Sequence, residues 1–176
     1  RRSAIAILEK NLIRDEFILQ RFYSGVWDKP YNPKFPNSGD QLRSIFYDRM
    51  GLPPITKHVR GQVKTPMDRS TLEKLEAYFP ARPLISAVLA HRDTTKALQV
   101  LRTEIDDDWR MRTSFNIAGT TTGRWSSSKS STGTGGNFQN ISEDLRKVFI
   151  SDPGWKLAGI DKEQAESREV GYACGK

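Results

Sequence analysis

The residues best suited to chemistry lie in the second half of the chain, around an arginine and a cluster of amides. A run at 119–136, in which Gly, Ser and Thr supply fifteen of eighteen residues, surrounds Arg124 and Trp125. It is followed at once by three amide side chains, Asn137, Gln139 and Asn140. Amides both donate and accept hydrogen bonds, which suits the minor groove of a duplex, where acceptors occur at every base pair. Arginine can donate to the same acceptors or pair with phosphate.

Two other interpretations of this stretch stay open at this point. By composition alone, 119–136 is a flexible linker. The amide cluster can equally be a set of turn-forming side chains that cap local backbone groups. The residue types are therefore compatible with a nucleic-acid contact, but they do not distinguish it from these two alternatives.

Asp161 is a candidate metal ligand. It ends the mostly apolar run 155–160, which predicts a buried strand, and a carboxylate there could hold a divalent cation together with substrate phosphates. Two-metal phosphoryl chemistry needs at least one further carboxylate, and the alternative is an Asp that caps the following helix. The triplet 106–108 is a rival metal site, although its position after a long helix favours a solvated acidic turn.

Basic side chains in the first half form a third candidate site. The chain has 28 Lys and Arg against 21 Asp and Glu, a net charge of +7 and a pI of about 9.6. Arg92, Lys96 and Gln99 fall on one stripe of a predicted helix, and one loop carries the cluster Lys57, Arg60 and Lys64. Such groups can follow a phosphate backbone without reading sequence. An ordinary solvated face is the other interpretation.

The elements that must position these residues are mainly helical in the first 105 residues. Apolar spacing predicts helices over about 3–24, from 38, from 70 to 80 and over 83–105, with a basic loop at 55–68. Ser38 with Gln41, and Ser70 with Glu73, have capping-box spacing. Further on, the pattern predicts a short helix at 142–149 and a helix at 163–174.

Composition also excludes several classes of protein. One cysteine, Cys174, excludes an internal disulfide framework and a Cys-rich zinc site. No apolar run approaches the roughly 18 residues of a membrane helix, and no signal peptide opens the chain. We therefore expect a cytoplasmic protein that does not enter a membrane. Because the chain begins without Met and stops directly after a charged segment, we expect it to be a piece of something longer.

Three short motifs follow one another in the second half of the chain: Thr-Gly-Arg-Trp-Ser-Ser-Ser at 122–128, Asn-Phe-Gln-Asn-Ile at 137–141 and Asp-Lys-Glu-Gln-Ala-Glu-Ser-Arg at 161–168. Their order resembles that of the DNA polymerase I family, the family A DNA polymerases. The upstream stretches 31–33, 40–42, 51–53 and 91–96 are similar to the family's thumb. The resemblance covers about residues 31–176. It implies an α+β fold, with a mostly helical thumb at 1–112 followed by the start of a palm with an antiparallel sheet at 113–176.

The resemblance also implies roles for individual residues. Asp161 would be one of two metal-binding carboxylates, and the backbone carbonyl of Lys162 would be a second ligand in a site for two Mg²⁺ ions. Gln164 and Glu166 would bind the incoming deoxynucleoside triphosphate, with Glu166 excluding a 2′-hydroxyl. Primer–template DNA would be contacted by Arg92, Lys96, Arg124, Asn137, Gln139 and Asn140.

Several features depart from the family pattern. Lys162 and Glu163 replace the usual Tyr and Ser, the insertion 129–136 lengthens a normally tight link, and Ser142 replaces a usual Pro. This variation suggests a divergent polymerase of viral origin, located in the host cytoplasm.

The family's fingers helix and its second carboxylate motif do not occur in the sequence. We therefore expect that the chain alone does not polymerise and needs the remaining fingers and palm, on the same or a companion chain. The alternative is a non-catalytic module that binds duplex DNA.

Overall fold

The computed structural model describes residues 1–27, 30–59, 61–160 and 163–175. The chain divides into two compact units, Arg1–Ile141 and Ser142–Lys176. Both contain helices, and the first also has two small antiparallel sheets. This mixed architecture confirms the expected α+β class. Within the described ranges, no helix combines the length and the apolar character that crossing a membrane requires.

Four α-helices organise the first unit. They are α1 (Arg2–Val26), α2 (Gly39–Arg43), α3 (Arg69–Leu75) and α4 (Arg82–Arg102), and α2 continues directly into a π-helix at Ser44–Arg49. Helix α1 runs through Gly25, where the sequence pattern ended. Helix α4 ends three residues before the predicted Ile105. The four predicted helices are thus present, with shifts at their ends.

The core of the first unit is formed where α1 and α4 pack together with the segments between them. The apolar side predicted for α4 is buried at Ile85, Val88, Leu98 and Leu101. From α1, Leu19 and Tyr23 enter the same unit's interior. Because these positions recur at helical spacing, the burial follows directly from the sequence pattern.

An aromatic cluster closes one end of this core. The Tyr23 ring lies 4.7 Å from that of Trp27 and 5.3 Å from that of Phe35, measured between centroids, and Tyr31 contacts both Tyr23 and Phe35 edge-on. Burial and the nearby Glu16 carboxylate raise the pKa of Tyr31 to about 12. The loop after α1, rich in Pro, Asn and aromatics, is therefore anchored by tilted and edge-on ring contacts.

Of the two predicted capping boxes, one forms in half and the other is wrong: the Ser38 N–H donates to the Phe35 carbonyl and not to the Gln41 side chain. The Ser38 hydroxyl accepts a hydrogen bond from the Gln41 backbone N–H at 3.4 Å at the start of α2. Helix α3, however, is capped by Asp68, whose carboxylate accepts from the Thr71 N–H at 3.0 Å. Ser70 instead donates its hydroxyl to Asp68. A carboxylate is the stronger acceptor at a helix N-terminus, and hydrogen bonds from Lys57 and Thr71 hold the pKa of Asp68 well below its usual range.

The basic loop predicted at 55–68 contains a short hairpin. Strand β1 (Lys57–Val59) pairs antiparallel with β2 (Gln62–Lys64), with Lys57 opposite Lys64. The prediction of an irregular loop was therefore wrong for these strands. Basic and polar residues here hide the strand alternation, so the pairing could not be read from hydrophobic periodicity. Arg60, predicted in the same cluster, lies outside the described residues.

The Gly/Ser/Thr-rich run is folded, so the linker interpretation is wrong. Strand β3 (Ser114–Asn116) pairs antiparallel with β4 (Ser126–Ser128). Gly119 lies against β4, since a Cβ added there would stand 1.8 Å from the Ser126 Oγ. Small residues here permit close backbone approach, which composition alone cannot distinguish from flexibility.

Gly135 should be intolerant of any side chain. Its φ is +73°, and an added Cβ would lie 1.7 Å from the Arg112 carbonyl oxygen, whereas Gly133, at φ +80°, has open space around it. We expect Gly135→Ala to lower the free energy of unfolding by about 1 to 3 kcal/mol more than Gly133→Ala. Both variants place a side chain at a positive φ, but only the Gly135 variant also clashes with a neighbouring backbone atom. Urea denaturation of both variants measures the difference, and equal losses would contradict the close contact.

In the second unit both predicted helices are present, with shorter bounds, and the predicted strand is wrong. Helix α6 (Ala165–Ala173) forms where the sequence predicted a helix, and the shorter α5 (Glu143–Arg146) follows Ser142. The buried strand predicted at 155–160 is absent from the described residues, because Trp155, Leu157 and Ile160 are 76%, 68% and 94% exposed. A buried strand needs neighbouring strands for its backbone groups, and no described segment pairs with this one.

Candidate nucleic-acid interface

A groove follows the polar side of α4 in the first unit. It consists of two cavities of about 490 and 530 Å³, and Lys96 and Gln99 line both of them. The first is also lined by Val100, Thr103, Met111, Gly136, Asn137 and Asn140, and the second by Asn37, Asp68, Arg69, Leu89, Arg92 and Thr95. We call this surface the α4 groove. It joins a basic helix stripe to part of the amide cluster.

The fold brings together four of the six residues predicted to contact DNA. Lys96 lines the groove with Asn137 and Asn140, although about forty residues separate them in sequence, and Arg92 lines its second cavity. Arg124 and Gln139 do not line either cavity. The helix stripe and the amide cluster, noticed separately in the sequence, thus form one surface.

Arg92 is bonded to the protein interior as well as lining the groove. Its Nε donates to the Pro36 carbonyl at 2.8 Å, and its Nη1 donates to the Met67 carbonyl at 2.9 Å. Burial, followed by the charge of Arg69, lowers the pKa of Arg92. The guanidinium therefore links α4 to the segments that contain Pro36 and Met67. The helical spacing of Arg92 and Lys96 in the sequence did not predict these links.

The amide cluster makes local bonds of the kind that the capping interpretation anticipated. The Asn137 side-chain oxygen accepts from the Ser127 hydroxyl at 2.6 Å and from the Gln139 N–H at 2.9 Å, capping the 3₁₀ turn Phe138–Asn140. The Gln139 Nε2 donates to the Trp125 carbonyl at 3.1 Å. These bonds fasten the amide segment to the β3–β4 hairpin. They therefore fix where Asn137 and Asn140 meet the groove.

Arg124 and Trp125 lie at the exposed end of the β3–β4 hairpin. The Thr120 hydroxyl donates to the Arg124 carbonyl at 2.9 Å, which closes the turn. The Trp125 ring lies 6.3 Å from that of Phe115, centroid to centroid. The turn thus holds the Arg124 backbone in place and presents the residue on the surface of the first unit.

Sequence reasoning missed Arg69 as a residue of the groove. It is the first residue of α3, forms ion pairs with Asp93 and Glu73, and lines the second cavity beside Arg92. Its position directly after the basic loop was the only sequence signal. Because Arg69 is held by two acidic partners, its charge toward a ligand is partly offset.

The acidic triplet is an ion-paired turn. The Arg112 guanidinium pairs with the carboxylates of Asp106 and Asp108. Among the residues that the structure describes, no three His, Cys, Asp or Glu side chains come together as a metal-binding group. The triplet is therefore explained by its arginine partner, in keeping with the acidic turn that we favoured.

The predicted catalytic and nucleotide-binding residues belong to the second unit. Asp161 and Lys162 lie outside the described residues, so their predicted roles stay predictions. Gln164 is described at the N-terminus of α6 with left-handed backbone angles, φ 52° and ψ 38°, and accepts from the Arg168 N–H at 3.0 Å through its carbonyl. Glu166 follows in the exposed first turn of the same helix.

Comparison with known proteins identifies the family. The family model "DNA polymerase family A" matches residues 27–174. That match covers most of the chain, including the Gly-Arg, amide and Asp161 segments. The chain belongs to DNA polymerase family A.

Individual relatives show how much of such a protein the chain represents. It is 33% identical over 150 residues to the thermostable DNA polymerase I of Thermus aquaticus, covering 79% of this chain and 17% of that protein. It is 32% identical over 147 residues to DNA polymerase I of Helicobacter pylori, covering 77% of this chain and 15% of that protein. The chain thus spans about a sixth of these two relatives, and neither supports the suggested viral origin.

A solved structure with a similar fold comes from the same family. It is the POL domain of Pol1 from M. smegmatis in complex with DNA primer-template and dNTP. The TM-score is 0.53 and the sequence identity is 26%, and the match covers 82% of this chain and 25% of the other. The fold of this chain is therefore similar to part of a polymerase domain.

Proposed function

We propose that the chain forms the thumb and the first palm segment of a DNA polymerase that adds deoxynucleotides to a primer 3′-hydroxyl under the direction of a template. The observation that carries the proposal is the α4 groove, in which Lys96 lies with Asn137 and Asn140. Family membership and the similar M. smegmatis structure, which holds primer-template and dNTP, support it. A purely duplex-binding module is not favoured, because the family match extends through the segment that contains Asp161.

In this proposal the groove grips the primer–template duplex. Lys96, exposed on α4, and Arg92 provide positive charge for phosphates, and the amide groups of Asn137 and Asn140 meet the minor groove. Minor-groove acceptors occupy similar places in all four base pairs. Such contacts hold any correctly paired duplex without reading its sequence, as a replicative grip requires.

Magnesium is the metal that the proposed reaction implies. The donors that the sequence offers, the Asp161 carboxylate and the Lys162 carbonyl, are hard oxygen ligands that suit Mg²⁺. When bound, two such ions lower the barrier to attack by the primer hydroxyl and to departure of pyrophosphate. This chain would contribute one carboxylate and one carbonyl, and the second carboxylate would come from the rest of the polymerase.

The start of α6 is the proposed site for the incoming nucleotide. Gln164 and Glu166 lie within two residues of each other at its N-terminus. In the proposal Gln164 contacts the nucleotide, and Glu166 lies against its sugar and excludes a 2′-hydroxyl. The division into a thumb at 1–112 and a palm at 113–176 belongs to the same proposal. The expected cytoplasmic location also belongs to this proposal.

Lys96→Ala is expected to weaken duplex binding without unfolding the protein. Lys96 is exposed and lines both cavities of the groove. Loss of one phosphate contact should reduce the slope of log affinity against log salt by about one. Fluorescence anisotropy with a primer–template duplex at several salt concentrations measures both quantities. An unchanged slope, or a flat salt response of the unaltered chain, would count against the groove as a phosphate-binding surface.

Arg124→Ala is expected to slow primer extension and weaken mismatch discrimination in the complete polymerase. Arg124 is exposed on the β3–β4 turn, and urea denaturation of the variant measures any change in folding separately from activity. Single-nucleotide extension from matched and mismatched primer ends measures rate and discrimination together. Unchanged rate and fidelity would exclude a minor-groove role for this side chain.

A further inference from the structure

The 129–136 segment reaches the α4 groove at Gly136 and is held by hydrogen bonds of its own. The Ser130 N–H donates to the Thr134 carbonyl at 2.9 Å, and the Gly133 N–H donates to the Ser130 carbonyl at 3.0 Å. The Ser130 hydroxyl lies within 3.1 Å of the Thr134 hydroxyl. The segment is therefore a compact turn with its own internal bonds.

Asp106 attaches this turn to the stretch that follows α4. Its carboxylate accepts hydrogen bonds from the hydroxyl of Thr134, from that of Thr132 at 3.4 Å, and from the Arg112 guanidinium. A backbone bond reinforces the attachment, since the Gly135 N–H donates to the Glu104 carbonyl at 2.8 Å. The hydrogen bonds from Thr134 and Arg112 lower the pKa of Asp106. The carboxylate thus stays charged, and keeps its acceptor role, to a lower pH than a free aspartate.

The attached turn leads directly into the groove. Gly136 and Asn137 follow Gly135 and line the first cavity together with Lys96 and Thr103. Asn137 is held from its other side by the Ser127 hydroxyl. The place of the amide segment relative to α4 is therefore set by the β-hairpin on one side and by Asp106 on the other.

We propose that Asp106 is a positioning residue for duplex binding: it anchors the 129–136 segment so that Asn137 and Asn140 line the α4 groove together with Lys96. This inference rests on the proposed function, because it assigns the anchored amides to the grip on primer–template DNA. Asp106 itself does not touch the duplex. It acts through Thr134 and the backbone that follows.

The charge of Asp106 makes the inference sharply testable. Removing a carboxylate from a DNA-binding protein ordinarily strengthens binding, because the repulsion of phosphates falls. A positioning role requires the opposite result. Asp107, the exposed neighbour in the same turn, provides a control with the same change in charge.

The experiment compares Asp106→Ala with Asp107→Ala in the 176-residue chain, with a primer–template duplex as the probe. We expect Asp106→Ala to bind about fivefold more weakly, as for the loss of a base-edge contact, with an unchanged salt slope because no phosphate contact is lost. Asp107→Ala should bind as tightly as the unaltered chain or more tightly. Binding by Asp106→Ala that equals that of Asp107→Ala would overturn the inference.

A second pair of variants tests the hydroxyl that meets Asp106. Thr134→Val removes the hydroxyl donor at nearly constant shape and should weaken duplex binding as Asp106→Ala does. Thr134→Ser keeps a hydroxyl and should bind the duplex as the unaltered chain does. Equal binding by the two Thr134 variants would contradict the anchoring route even if Asp106→Ala proved unstable.

Amide hydrogen exchange separates failure of this inference from failure of the proposed function. In Asp106→Ala and Thr134→Val, the Ser130 and Gly135 N–H groups should exchange faster while those of α4 stay protected. If the unaltered chain failed to bind the duplex, the proposed function would be refuted and the exchange result would still decide the anchor. Unchanged exchange at Ser130 and Gly135 would refute the anchor itself.

Discussion

Asp161→Ala in the complete polymerase is expected to abolish primer extension while leaving the affinity for primer–template DNA intact. In the proposal, the Asp161 side chain is the metal-binding carboxylate that this chain supplies. Its loss would leave the metal ions without one ligand, and therefore the negative charge of the transition state without full stabilisation. We expect extension to fall at least about a thousandfold. Duplex affinity should be unchanged, because the groove that we propose for duplex binding lies along α4 in the first unit.

Asp152→Ala is the matched control for that loss. It removes another carboxylate of the second unit, at a position to which the proposal gives no part in the reaction. Single-turnover extension and anisotropy, measured on both variants, separate chemistry from binding. Extension by Asp161→Ala within tenfold of the Asp152→Ala rate would refute the metal-binding role.

Arg92→Ala is expected to destabilise the protein itself. The substitution removes the donors to the Pro36 and Met67 carbonyls and leaves both acceptors without this partner. Hydrogen bonds from charged groups contribute about 1.5 to 3 kcal/mol each, so we expect the free energy of unfolding to fall by about 3 kcal/mol. Chemical denaturation measures the loss, with far-UV circular dichroism as the signal.

Arg102→Ala controls for the loss of an arginine from the same helix. Arg102 pairs with Glu9 at the surface, with both side chains about half exposed, and solvent-screened pairs of this kind contribute about 0.2 to 1 kcal/mol. Arg92→Lys adds a second comparison, because lysine keeps the charge but cannot match the two-pronged geometry of the guanidinium. If Arg92→Ala lost no more stability than Arg102→Ala, the interior role of Arg92 would be wrong.

Local patterns explain which elements could be predicted. The buried side of α4 follows from apolar residues at helical spacing, and the Ser38 cap follows from a side chain three residues before its partner. Both depend on neighbours within one or two helical turns. Ser70 failed as a cap because Asp68, two residues earlier, competes for the same helix end with a stronger acceptor.

Two further predictions failed because the outcome depends on how separate segments pair, and composition does not record that. The run 119–136 has linker composition, yet Gly119 packs on Ser126 and Gly135 donates to Glu104. The apolar run 155–160 has strand composition, yet it has no partner strand among the described residues and is exposed. Composition limits the conformations that a segment can adopt, whereas its contacts with other segments decide which conformation it has.

The sequence by itself determined the family, the excess of positive charge and the types of side chain available for binding DNA. Motif order suffices for that, because each motif is a short run whose residues are read directly. Only the tertiary structure decided that Lys96 and Asn137 line one groove, that Arg92 turns partly inward and that Asp106 anchors the turn before the amides. Those relations join residues tens of positions apart, and the packing of α4 against its surroundings, which no local pattern encodes, brings them together.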